Sequence, residues 1–175
     1  MTFGRLRPGK LRTSGFLLHQ HLYAIALGSN RPHAGHGRPD RVLKAALIAL
    51  GELGAVRAIS RLHRTAAWGP AGRDFANAAA ILETDLAPDD LLAALKAIER
   101  HFGRRPGRRW GPRVLDLDII LWSGGRLRSR GLTIPHRELA KRAFVLKPLA
   151  EIAPDWPVPA TGRAVRHLAR QRGRG

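Results

Sequence analysis

Arg109–Leu121, with the sequence RWGPRVLDLDIIL, joins a Gly-Pro turn to an apolar strand that carries two aspartates. Side chains on a strand alternate between its two faces, so Asp116 and Asp118 are expected on one face and the leucines on the other. Two carboxylates on one face of a buried strand repel each other and are costly to remove from water. The segment therefore predicts that a positive group lies beside the two aspartates.

Two kinds of positive group fit this segment. A divalent cation with oxygen ligands would neutralise the aspartates, and the arginines just before them suit phosphate oxygens. A metal ion beside arginines is typical of phosphoryl-transfer sites. The alternative is that the aspartates only pair with structural arginines, since such pairs also perturb carboxylates outside functional sites.

The composition of the chain restricts its class. With 175 residues it is long enough for one domain with an ordinary core. It has no cysteine, which excludes disulfides and thiolate zinc sites. No apolar run approaches the ~20 residues of a membrane helix. The formal net charge of +18 favours an anionic partner.

The distribution of this charge favours a nucleotide over a nucleic-acid duplex. Both ends of the chain are basic, and a third basic group lies just before the aspartates. Its members are Arg104, Arg105, Arg108, Arg109 and Arg113. Arginines around a carboxylate pair suit a nucleoside triphosphate with its metal. The loop Gly103–Gly111 is expected to be either a mobile lid that orders on phosphate binding or a solvated run of charge.

Periodicity in the rest of the chain predicts an α+β fold. Strands are expected at residues 21–27, 55–65, 75–84 and 114–122. Helices are expected at residues 41–50, 88–102, 142–152 and within 160–175. Asp40 is expected to cap the first helix. The order strand, helix, strand, strand, helix, strand is that of the ferredoxin-like βαββαβ sandwich, here with additional C-terminal helices.

Several residues outside the aspartate strand are candidates for binding. An aromatic pair and an amide could clamp and read a flat heterocycle, although core and turn packing would also explain them: Trp68, Phe75 and Asn77. His136 and Arg142 could converge with the aspartates on a polyphosphate, although a lone histidine is more often structural. Glu99 lies near a helix C-terminus, where a carboxylate is unfavourable, so either an arginine partner or simple exposure is expected.

At these residues the chain resembles the 6-hydroxymethyl-7,8-dihydropterin pyrophosphokinases of folate biosynthesis. The most specific block is RWGPRxxDxD at residues 109–118, followed by Pro135 and His136. The other matching segments follow the family's order between Tyr23 and Trp156: Ala26–Asn30, Arg64–Thr65, Gly69–Pro70, Phe75–Ala78, Leu132–His136 and Arg142–Leu149. The resemblance implies an enzyme that transfers diphosphate from ATP to the pterin hydroxymethyl group and releases AMP.

The resemblance also implies roles for individual residues. Two magnesium ions would bind to Asp116 and Asp118. The catalytic residues would be Arg104, Arg113, Asp116 and Asp118. The ATP-binding residues would be Glu99, Arg104, Arg113, His136 and Arg142. The pterin-binding residues would be Thr65, Ala67, Trp68, Phe75, Asn77 and Phe144.

The sequence departs from the family's common pattern mainly at the pterin loop. Ala66 and Ala67 stand where members often have proline, and Trp68 stands where they often have leucine. No departure removes a metal or phosphate ligand, so an active enzyme is expected. Its pyrophosphokinase domain is expected at residues 21–158, after a basic, disordered leader at 1–20 and before a short helix and basic tail at 159–175. We expect a cytoplasmic monomer without membrane association or specific nucleic-acid binding.

Two other functions are open at this point. The net charge of +18 and the arginine-rich ends fit a nucleic-acid-binding module. The Asp-x-Asp strand also fits a different metal-dependent nucleotidyl transferase. The nucleotide that is released separates the latter from a pyrophosphokinase, which produces AMP.

Overall fold

The computed structural model describes residues 20–65, 74–103, 114–159 and 161–172. The predicted leader, apart from Gln20, and the predicted lid, apart from Gly103, lie outside the described residues. Four predicted site residues also lie outside them: Ala67, Trp68, Arg104 and Arg113. None of the described helices combines the length and the apolar character that a bilayer span needs.

Five antiparallel strands form the central sheet of the described residues. They are β1 (His21–Ser29), β2 (Ala55–Ile59), β3 (His63–Thr65), β4 (Phe75–Thr84) and β5 (Asp116–Trp122). β2 and β3 both pair with β4, β4 pairs with β1, and β1 pairs with β5. If β2 and β3 are counted as one interrupted strand, this is the order of the ferredoxin-like sheet, and the predicted fold is confirmed.

The predicted continuous strand at 55–65 is wrong, because the chain leaves the ladder at residues 60–62. The Ser60 N–H donates to the Ala79 carbonyl, and the Ser60 hydroxyl accepts from the Ala79 N–H, both at 2.9 Å. The next N–H, that of Arg61, donates to the Glu151 carboxylate at 3.0 Å and not to a strand. A side chain far along the chain therefore takes the place of a ladder partner.

Two helices cover one face of the sheet. They are α1 (Pro39–Gly51) and α2 (Pro88–His101). Each begins with a proline, whose missing N–H would have no helical partner in the first turn. Asp40 is not the cap that was predicted, because α1 starts after Arg38 and Asp40 lies in its first turn. The two aspartates in the first turn of α2 match the helix dipole.

The core between these helices and the sheet fixes which way β5 faces. Its fully buried members include Tyr23, Leu43, Leu50, Leu91, Leu95 and Leu117. Leu117 and Ile119 of β5 both point into this core. Because strand residues alternate, Asp116 and Asp118 lie together on the opposite face of the sheet.

The opposite face of the sheet is covered by the C-terminal part of the chain. α3 (Ala143–Ile152) and α4 (Val165–Arg172) pack there in a second core. Four short strands form two hairpins: β6 (Leu127–Ser129) with β7 (Leu132–Ile134), and β8 (Pro157–Val158) with β9 (Arg163–Ala164). A single 3-10 turn at Leu139–Lys141 precedes α3.

Candidate active site

A row of three residues crosses the sheet on the face that bears the aspartates. Gly28 of β1 pairs with Asn77 of β4 on one side and with Asp116 of β5 on the other. Two residues along, Ala26 pairs with Asp118. A Cβ at Gly28 would lie 3.6 Å from Asn77 Oδ1. Because Gly28 has no side chain, the surface between the amide and the carboxylate is formed by backbone. Adjacent strands thus bring a hydrogen-bonding amide and a carboxylate pair onto one surface.

Arg142 and His136 border the aspartates. Arg142 Nη1 lies 3.7 Å from Asp118 Oδ2, which is an ionic contact but too long for a hydrogen bond. The His136 N–H donates to the Ile120 carbonyl at 3.0 Å, which attaches the histidine to the aspartate strand. Its Nδ1 accepts from the Glu138 N–H at 3.2 Å, so the neutral ring carries its proton on Nε2. Burial lowers the pKa of His136, and the nearby Asp118 opposes that shift only in part.

Asn77 and two exposed rings form the other end of the site. The Asn77 Nδ2 donates to Thr65 Oγ1 at 2.9 Å, which fixes the orientation of the amide. Phe75 pairs with Thr65 in the sheet and is 37% exposed. Phe144, in the first turn of α3, is 40% exposed, and the Arg142 guanidinium lies 5.8 Å from its ring centroid. Large rings with this exposure are available for stacking against a ligand.

Glu99 lies beneath the aspartate strand, on the helix side of the sheet. Its side chain is fully buried, so the expectation of simple exposure is wrong. Its Oε1 accepts from the Leu117 N–H and from Lys96 Nζ, both at 2.7 Å. The described partners are thus a lysine and a backbone group of β5. The proposed contact with ATP remains a prediction.

The donor set of this site fits magnesium better than a closed metal cage. Within the described residues, no group of three or more His, Cys, Asp or Glu side chains could hold a metal ion. Two carboxylates alone leave most coordination positions to water and phosphate oxygens, which is the arrangement that Mg²⁺ favours.

A second cluster of charged side chains lies behind the end of the site that contains Asn77, and no local sequence pattern indicates it. Glu151 of α3 accepts hydrogen bonds from Arg61 Nη2 at 3.1 Å and from His63 Nε2 at 2.9 Å, besides the Arg61 N–H. Burial alone would raise the pKa of Glu151, but the hydrogen bonds from Arg61 and the contact with His63 bring it below its ordinary value. Glu151 shares a helix with Phe144, and His63 pairs with Asn77. The cluster therefore ties the aromatic wall of the site to its amide.

A family model for 7,8-dihydro-6-hydroxymethylpterin-pyrophosphokinase (HPPK) matches residues 24–154. The chain belongs to this family. The 2-amino-4-hydroxy-6-hydroxymethyldihydropteridine pyrophosphokinase of Pseudomonas aeruginosa is 46% identical over 143 residues, which are 80% of this chain and 85% of that protein. The Synechocystis pyrophosphokinase of the same name is 40% identical over 151 residues, or 86% of this chain and 76% of that one.

Solved HPPK structures share the fold. Plasmodium falciparum HPPK-DHPS matches 87% of this chain with a TM-score of 0.68. The pyrophosphokinase described here spans 44% of that longer chain. At 13% sequence identity this likeness shows the fold alone.

Proposed function

We propose that this chain carries out its family's reaction on the sheet face that bears Asn77, Asp116 and Asp118. As a member of the family, it is an ATP-dependent pyrophosphokinase of folate biosynthesis. It transfers diphosphate from ATP to the hydroxymethyl group of 6-hydroxymethyl-7,8-dihydropterin, and AMP is the second product. The observation that carries the assignment of this face is the pairing of Gly28 with both Asn77 and Asp116.

Asp116 and Asp118 are proposed to hold two magnesium ions together with the phosphate oxygens of ATP. Bound metal supplies charge neutralisation on the transferred group and activates the attacking hydroxyl. The chain's own contribution is to keep the two carboxylates on one face, beside the Arg142 guanidinium. The repulsion between two carboxylates on one face favours a bound cation and supports this role.

Arg142 and His136 are proposed to bind the phosphates of ATP. The long contact between Arg142 and Asp118 leaves guanidinium donors for phosphate oxygens. The neutral His136 ring offers an Nε2–H donor beside the same carboxylate. The proposed ATP site is completed by Glu99 and by two arginines outside the described residues: Arg104 and Arg113.

The pterin is proposed to bind between the two phenylalanine rings and the Asn77 amide. Because Thr65 holds the Asn77 Nδ2, the Oδ1 points to the Gly28 side and can accept from the heterocycle. Phe75 and Phe144 supply stacking surfaces for a flat ring. Ala67 and Trp68, outside the described residues, are proposed to complete the pocket.

The wider organisation of the protein is also a proposal. We place the pyrophosphokinase domain at residues 21–158, between the leader and the basic tail. We also propose that the protein is a monomer. ATP and the pterin as the small-molecule partners suit a cytoplasmic location.

The decisive test is the identity of the released nucleotide. Purified protein with Mg²⁺, ATP and 6-hydroxymethyl-7,8-dihydropterin should release AMP and pterin diphosphate in equal amounts. Release of ADP, or no reaction, would contradict the proposal. Asp118→Asn should lower kcat by about 100-fold or more, because metal electrostatics dominate this chemistry. Asp155→Asn, which removes the carboxylate that pairs with Arg166, is the matched control and should keep normal activity.

A further inference from the structure

Leu117 lies between the two aspartates, and both of its backbone polar groups are bound by side chains of α2. The Leu117 N–H donates to Glu99 Oε1 at 2.7 Å, and the Leu117 carbonyl accepts from Lys96 Nζ at 3.1 Å. Lys96 Nζ also donates to Glu99 Oε1 at 2.7 Å, so Lys96, Glu99 and Leu117 are each hydrogen-bonded to the other two. We call these two side chains and the Leu117 backbone the Leu117 clamp.

The clamp lies at an open edge of the sheet. Among the described strands, β5 has a hydrogen-bonded neighbour, β1, on one side only. In an antiparallel pair, successive residues direct their N–H and C=O groups alternately toward and away from the partner strand. Because Leu117 directs its groups to α2, Asp116 and Asp118 direct theirs to β1. The clamp therefore supplies hydrogen-bond partners on the outer side of β5, as β1 does on the inner side.

The burial of the clamp indicates that its side chains are held in one defined arrangement. Glu99 is 0% exposed and Lys96 is 32% exposed, so the pair sits at the boundary of the core. A buried carboxylate persists only when it is paired and hydrogen-bonded, and both conditions are met here. The Leu117 side chain is itself fully buried among the helices. Leu117 is thus held through its side chain, its N–H and its carbonyl at once.

We propose that Glu99 and Lys96 are positioning residues for the metal-binding aspartates, which rests on the proposed function of Asp116 and Asp118. By fixing Leu117, the clamp sets the separation and the direction of the two flanking carboxylates. Without it, the outer edge of β5 takes water as its partner, and the strand can shift away from the position in which both carboxylates share one metal site. Groups that orient metal ligands in this way contribute about 10–100-fold to metal affinity or activity.

The first experiment measures the clamp without metal or substrate. Amide hydrogen exchange of the magnesium-free protein, read by NMR, should show a protected Leu117 N–H at the edge of the sheet. Glu99→Leu keeps the bulk and removes the acceptor, so exchange at Leu117 should rise about 10-fold or more. Glu99→Gln retains an acceptor oxygen and should restore much of the protection. Unchanged exchange at Leu117 in Glu99→Leu would overturn the clamp itself.

The second experiment measures metal binding. Titration calorimetry with Mg²⁺, in the presence of a non-hydrolysable ATP analogue, should give a Kd for magnesium about 10-fold higher or more in Glu99→Leu and Lys96→Met. The pterin KM at saturating Mg²⁺ should stay within about 2-fold, because the clamp does not touch the pterin residues. Glu83→Gln and Lys44→Met are the matched controls, since Glu83 pairs with Arg57 on β2 and Lys44 is an exposed residue of α1.

The outcomes separate the clamp from the proposed function. If Asp116→Asn and Asp118→Asn leave magnesium binding unchanged, the metal site is wrong, while Leu117 exchange still tests the clamp. If the aspartate variants lose magnesium and both clamp variants bind it normally, the positioning role is refuted and the proposed function stands. Should Glu99→Leu fail to fold, Lys96→Met decides the question through its Kd for magnesium, because Lys96 is partly exposed and its loss leaves the core intact.

Discussion

Exchanging Gly28 for alanine should separate the stability of this protein from its activity. The new Cβ would lie 3.6 Å from Asn77 Oδ1, an ordinary van der Waals distance, so the fold can accept it. Alanine in a strand avoids the entropic penalty of glycine, which is about 0.5–1 kcal/mol. For a chain of this size each kcal/mol corresponds to about 2–4 °C, so Tm should rise by about 1–4 °C.

The same methyl group should lower catalysis strongly. Strands lie about 4.8 Å apart, so the amide and the carboxylate on either side of Gly28 belong to strands about 10 Å apart. In the proposed function, the substrate crosses Gly28, with its heterocycle at Asn77 and its hydroxymethyl group near Asp116. A methyl group on that path displaces the reacting oxygen by about 1 Å, and such a displacement can cost about 100-fold in rate. We expect kcat/KM for the pterin to fall by about that factor.

AMP release at varied pterin concentration and thermal unfolding test this prediction together. Gly51→Ala is the control, because a Cβ at the end of α1 would meet nothing within 4 Å. It should raise Tm in the same way and leave kcat/KM unchanged. Wild-type kcat/KM in Gly28→Ala would show that the substrate does not cross Gly28. A lower Tm would show that the contact with Asn77 is not tolerated.

Three further predictions concern the walls of the site and the frame behind it. Phe144→Ala should weaken pterin binding by about 2–12-fold, from a stacking energy of about 0.5–1.5 kcal/mol, with little change in Tm because the ring is exposed; calorimetric titration that finds normal affinity would remove Phe144 from the pocket. Glu151→Ala should lower the free energy of unfolding by about 2–3 kcal/mol at neutral pH through the lost bonds from Arg61. The pKa of Glu151 is lower in the folded protein than in the unfolded chain, so its contribution to stability is complete above the ordinary carboxyl pKa and is lost as the pH falls through the folded pKa. The difference in unfolding free energy between Glu151→Ala and wild type should therefore shrink in acid. A difference that does not change with pH in denaturant unfolding would contradict this cause. Gly54→Ala should destabilise by about 2–3 kcal/mol, because its Cβ would collide with the Glu83 carbonyl oxygen, and an unchanged Tm would refute that packing.

The local sequence pattern was sufficient to predict the helices and strands whose ends are set by neighbouring residues. The bounds of β4, residues 75–84, and the start of α2 at Pro88 agree with the periodicity and the proline rule. The break after Ile59 could not be predicted, because the apolar alternation continues through it. Its cause is the Glu151 carboxylate, 90 residues away, which replaces a ladder partner for the Arg61 N–H.

The sequence was sufficient to predict the aspartate pair, but not the residues that surround and hold it. Period two places Asp116 and Asp118 on one face, whatever the fold. Which residues stand beside them depends on register, and register placed Gly28 and Asn77 there. Glu99 illustrates the limit of local rules: its position near a helix end is unfavourable, and only tertiary structure supplies the backbone N–H that compensates for it.

The position of β5 at the edge of the sheet explains why this support comes from α2. A carboxylate pair that binds metal needs an open face, so no helix can pack directly over it. α3 packs in the second core with Ala24 of β1, whereas Gly28, farther along the strand, is half-buried. Among the described strands only β1 pairs with β5, so β5 can be held further through its opposite face and through its other edge. Leu117 is fixed through both, since its side chain enters the helix core and its backbone binds α2. In this protein α2 therefore binds the backbone of the residue between the two aspartates, on the side of β5 that faces away from β1.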